Sequence, residues 1–66
     1  MTEAEARRVA YREVRRVGLT KEQARRFLRE RMRPGRMTQS RERLLFQAWA
    51  AAAYYRADLQ DGKVAP

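Results

Sequence analysis

The sequence predicts an all-α fold: a compact three-helix domain with a helix-turn-helix-like corner between the first two helices and an apolar central third helix. Three features support this. Apolar residues recur at helical spacing in three separate segments, a hydroxyl-bearing residue stands before each segment, and glycine or proline punctuates the gaps. At 66 residues the chain has room for one domain, expected over residues 1–62, with 63–66 as a short flexible C-terminal tail.

The first helix is expected from about residue 3 to 17. Thr2 caps it, and Glu5 stands at the reciprocal position of a capping box. Ala6, Ala10, Val14 and Val17 fall along one buried stripe, with Val9 and Tyr11 at its edges. Arg8, Arg12, Arg15 and Arg16 crowd another side and need water, acidic neighbours or a polyanion. Gly18 can end the helix in left-handed geometry, and Leu19 can then pack back across the junction.

Thr20 opens the second helix, with Gln23 at the capping-box position and Glu22 near the positive helix end. Ala24, Phe27, Leu28 and Met32 make its apolar face, while Arg25, Arg26, Arg29 and Arg33 point away from it. Glu22 and Glu30 lie four residues on either side of Arg26 and can neutralise part of its charge. Arg33-Pro34-Gly35 is the expected stop, followed by a short linker through Thr38 or Gln39.

Ser40 caps a third helix expected over about 41–59, with Glu42 in its first turn and Asp61-Gly62 as its stop. Leu44, Leu45, Ala48, Ala52, Tyr55 and Leu59 form one broad face. Phe46, Ala50, Ala53 and Ala57 form a second, with Trp49 between the two. A central helix touching both shorter helices explains so wide an apolar surface. The alternative is that one face closes the monomer core while the other supports a symmetric dimer.

Charge narrows the function classes. Sixteen Lys and Arg against eight Asp and Glu give a net charge of +8, and the pI is near 11.3. An acidic partner follows, whether DNA, RNA, an acidic protein surface or an anionic membrane. The membrane is disfavoured because the apolar helix faces are needed for folding. Arginine outnumbers lysine 14 to 2, which suits bidentate contact with phosphate or a guanine edge, although a GC-rich genome would bias codons the same way.

The chain has no Cys and no His, so disulfides, zinc-finger ligation, thiolate chemistry and histidine base catalysis are absent. The scattered carboxylates suggest neither a metal cage nor an acid–base pair, and no phosphate-loop motif occurs. The expectation is a protein that is not an enzyme and uses no cofactor or metal. The longest apolar run, Ala48 to Tyr55, has eight residues, too few to span a membrane. No targeting signal is apparent, so the expected location is the cytoplasm, or the host cytoplasm if the protein is phage-encoded.

The segment from Arg8 to Met32 looks like a helix-turn-helix: Val17 and Leu19 flank Gly18, and Ala24 and Phe27 can close the corner. Glu13 falls where an apolar contact would help, and Val14 where a smaller side chain would pack more easily. The motif implies a reader helix carrying Lys21, Gln23, Arg25, Arg26 and Arg29, with Arg8, Arg12 and Arg16 on the backbone. Gln23 would read adenine and Arg25 or Arg26 guanine. Against this, Gln23 can be chiefly a cap and the arginines a solvated exterior. Arg33 joins the exposed arginines of the second helix, and Arg36, Arg41 and Arg43 form a second basic cluster across the linker and third-helix start.

The leading expectation is a DNA-binding or regulatory protein. The main alternative is an adaptor or inhibitor that binds an acidic host protein, with RNA binding third. Phe46, Trp49, Ala50, Ala53, Tyr54 and Ala57 are the expected protein-interface residues, and their exposure would favour a protein partner or a homodimer.

Overall fold

The structure, a computed structural model, describes residues 1–32 and 40–65. Three helices follow in order: α1 (Glu3–Val17), α2 (Lys21–Arg31) and α3 (Arg41–Gln60). Among the described residues no strand occurs and no helix is long and apolar enough to cross a membrane.

Each start is fixed by the expected cap. Thr2 Oγ1 accepts from the Glu5 N–H at 3.1 Å, and Ser40 Oγ from the Arg43 N–H at 3.4 Å. At α2 the capping box is complete: Thr20 Oγ1 accepts from the Gln23 N–H, and Gln23 Oε1 accepts from the Thr20 N–H. These bonds satisfy N–H groups that have no partner inside the helix.

The α1–α2 junction is a full Schellman turn. Gly18 sits at φ +116°, and its N–H donates to Arg15 O at 3.1 Å while the Leu19 N–H donates to Val14 O at 3.3 Å. Leu19 is thereby turned inward and buried. Two arginines complete the turn: Arg15 Nη1 donates to Leu19 O at 2.8 Å, and Arg56 Nη1, reaching from α3, donates to Val17 O at 2.9 Å. A cation at the carboxyl end of α1 also faces the negative pole of its dipole.

The core takes the expected stripe from each helix: Ala6, Ala10 and Val14 of α1, Ala24, Phe27 and Leu28 of α2 with Met32 beyond it, and Leu44, Ala48, Ala52 and Tyr55 of α3. Val9, Tyr11, Val17, Ala51, Leu59 and Val64 pack at its margin. Alanines from all three helices let the backbones approach closely. The large volume comes from Phe27 and Tyr55, whose rings meet edge to face with centroids 5.4 Å apart. Arg31 lies 5.2 Å above the Tyr55 ring, a cation–π contact that covers the outer side of this pair.

Three details differ from the expected outline. α2 ends at Arg31, with Met32 already out of helical geometry at φ −125°, ψ 85°, so the chain leaves the helix before the proline signal; Arg33, Pro34 and Gly35 lie outside the described residues. After α3 and Gly62 (φ +76°), the chain expected as a tail turns back on the fold. Lys63 N–H donates to Asp58 O at 2.8 Å, and Ala65 O accepts from Arg26 Nη1 at 2.6 Å.

The third difference concerns α3, which packs more extensively on α1 than on α2 and is covered on one face only. Phe46 is 66 %, Trp49 52 % and Tyr54 76 % exposed, and Ala53 and Ala57 face solvent beside them. α1 and α2 both pack against the Leu44, Ala48, Ala52 and Tyr55 side of α3, so neither reaches the opposite side. α3 thus touches both shorter helices, as expected of the third helix, but through one apolar face, and its second apolar face stays open.

Candidate nucleic-acid interface

The basic residues form one grouped site and several separate ones. On α1, Arg8, Arg12 and Arg16 stand at intervals of four residues, so they make a ladder with a rung about every 6 Å along the helix. This ladder borders a groove between α1 and α3, lined also by Arg41, Glu5, Glu13 and Leu45. Arg41 enters because α3 begins there, beside α1, and its neighbour four residues on, Leu45, is half-buried on the same side.

Arg43 is turned elsewhere. Two residues along a helix is a rotation of about 200°, and Arg43 lies with Glu42, Phe46 and Gln47 on the outer side of α3. The expected cluster at the third-helix start is thus divided, with Arg41 joining the α1 ladder and Arg43 bordering the aromatic face. Arg33 and Arg36 lie outside the described residues.

The groove is cationic but not purely so. Arg16 Nη1 is 3.8 Å from Glu13 Oε2, with the Arg16 side chain 81 % exposed and that of Glu13 17 % exposed. Such a pair holds its arginine weakly, so the guanidinium can turn to a stronger anion. Glu5 and Glu13 also line the groove, and four arginines against two carboxylates leave it net positive.

On α2 the cations other than Arg31, which lies over Tyr55, separate into two rows. Lys21, Arg25 and Arg29 form an exposed ridge at four-residue spacing. Arg26 stands in the adjacent row and is engaged: its Nε is 3.1 Å from Glu30 Oε1 and its Nη1 holds the Ala65 carbonyl. Glu22 and Glu30 lie in that same row, so it is net negative, not basic. Gln23 has its amide oxygen committed to the Thr20 N–H.

Several arginines therefore have structural duties that the sequence reading did not assign. Arg56 and Arg15 complete the Schellman turn, Arg26 pins the chain end, and Arg31 covers Tyr55. The signal for Arg15 was its place in the last turn of α1, where cations suit the dipole. Nothing local pointed to Arg56, which acts across 39 residues of chain. No group of three or more metal-binding side chains occurs among the described residues. No protein-family model matches the chain, and neither a curated protein nor a solved structure matches it.

Proposed function

We propose that the chain is a non-enzymatic DNA-binding protein of regulatory type that grips the phosphate backbone along the α1–α3 groove. One juxtaposition supports the reading: Arg8, Arg12, Arg16 and Arg41, from two helices, border a single groove on a chain of net charge +8. Guanidinium groups match phosphate oxygens in pairs and keep their charge at any physiological pH. The Lys21, Arg25 and Arg29 ridge supplies a further contact surface on α2. Gln23 is a poor adenine reader while it serves as a cap, because that contact needs both its amide oxygen and its amide nitrogen.

A second reading, an interaction protein, draws on the exposure of Phe46, Trp49 and Tyr54. The two readings use different surfaces. The test is fluorescence anisotropy of a labelled mixed-sequence DNA duplex titrated with the full chain over a salt series. Four phosphate contacts give a slope of log affinity on log salt of about −3.6. Arg12→Ala and Arg41→Ala should each flatten that slope by about 1, whereas Arg7→Ala, exposed on α1 outside the groove, should leave it unchanged. No binding at low salt would overturn the proposal, and preference for a double-stranded RNA competitor would transfer it to RNA.

A further inference from the structure

We infer that the open face of α3 is the seam of a homodimer in which two copies of α3 pack antiparallel. Arg43, Phe46, Ala50, Ala53, Ala57 and Gln60 recur at spacings of three and four, the pattern of a two-helix seam. The middle four positions are apolar, and Trp49 and Tyr54 flank them, one on each side. Phe46 and Trp49 already stack loosely, with centroids 6.3 Å apart, and form the bulky end of the face. Ala50, Ala53 and Ala57 form the shallow end.

Size and charge together select the occupant. The pattern is symmetric about the point between Ala51 and Ala52, so an antiparallel second copy sets Phe46 against Ala57 of the other protomer and Ala50 against Ala53. Phe46 then meets an alanine at both ends of the seam, with alanine on alanine between them, so the bulk is shared evenly along its length. A parallel copy would instead put both Phe46 rings in one layer and only alanine in the others, which would splay the two helices apart at one end. The exposed fractions of Phe46, Trp49 and Tyr54 correspond to about 400 Å² of aromatic surface per chain. With the intervening alanines and the ends of the seam, two copies would bury about 1,200 Å², the lower bound for a stable specific interface.

Although the chain carries +8, α3 and its cap are neutral: Arg41, Arg43 and Arg56 balance Glu42, Asp58 and Asp61. Two copies can therefore meet here without bringing like-charged surfaces together. A polyanion gains nothing at this face, and an acidic protein finds its complement on α1 and α2 instead. The α1–α3 groove lies on another side of α3, so the dimer would present two such grooves. The inference stands on packing and does not rest on the DNA reading.

The test uses the full chain without nucleic acid. Sedimentation equilibrium over a concentration series should give twice the 7.8 kDa protomer mass. Ala53→Glu, a change at an exposed helical position, should reduce the mass to one protomer while far-ultraviolet circular dichroism stays unchanged. Register is read separately, since the native chain has no Cys. Ala50→Cys and Ala53→Cys chains, mixed and oxidised, should yield mainly the mixed disulfide. A monomer at the highest soluble concentration overturns the inference and leaves the face to a different protein. A dimer that survives Ala53→Glu overturns it as well, and predominance of the two symmetric disulfides overturns the antiparallel arrangement.

Discussion

Gly18→Ala tests the turn on which the first two helices depend. At φ +116° the backbone lies where residues with a side chain rarely go, and a left-handed conformation costs an L-residue about 1–2 kcal/mol. A second cost adds to the first, because the new Cβ would lie 3.2 Å from Cζ and Nη1 of Arg56. The guanidinium ends a flexible side chain and would move aside by a few tenths of an ångström, weakening its 2.9 Å bond to Val17 O. That bond is exposed, so even its complete loss would add no more than about 1 kcal/mol. The sum is about 2 kcal/mol, or a fall in melting temperature of roughly 10 °C for a domain this small.

Thermal and urea unfolding followed by circular dichroism would measure this effect. Arg56→Ala alone should cost about 1 kcal/mol or less. In the Arg56→Ala background, Gly18→Ala should keep only its backbone penalty, so the two changes should be less than additive. A Gly18→Ala chain as stable as the native one would refute the account of this turn. Strict additivity would refute the part assigned to Arg56.

Two further predictions concern the interior and a helix cap. Tyr55 is fully buried, and its hydroxyl has no hydrogen-bond partner among the described residues, so Tyr55→Phe should keep or raise stability by up to about 1 kcal/mol; a loss of more than that in urea unfolding would mean that the hydroxyl is bonded. Thr20→Ala removes one half of the α2 capping box and should cost about 1 kcal/mol, read as a lower urea midpoint with an unchanged slope.

The elements were legible in the sequence because their causes are local. Thr2, Thr20 and Ser40 mark helix starts by reaching an N–H three residues on, and Gly18 marks an end by adopting a conformation other residues avoid. The core stripes were legible for the same reason, since helical periodicity shows which residues share a face. Ala6, Ala10 and Val14, or Ala24, Phe27 and Leu28, could be selected by counting.

Counting could not decide which face of α3 the other helices would cover. Two apolar faces satisfy the same periodicity, and only the placement of α1 and α2 buries Leu44, Ala48, Ala52 and Tyr55 while leaving Phe46, Trp49 and Tyr54 exposed. The basic residues divide in the same way. Sequence gives their number and net charge of +8. Tertiary structure brings Arg41 beside Arg8, Arg12 and Arg16, turns Arg43 away, and draws Arg26 and Arg56 into bonds with distant carbonyls. Caps and periodicity act within a few residues of chain, so sequence by itself determined the helices. The groove and the open apolar face depend on how separate helices are set against one another, which only the folded chain decides.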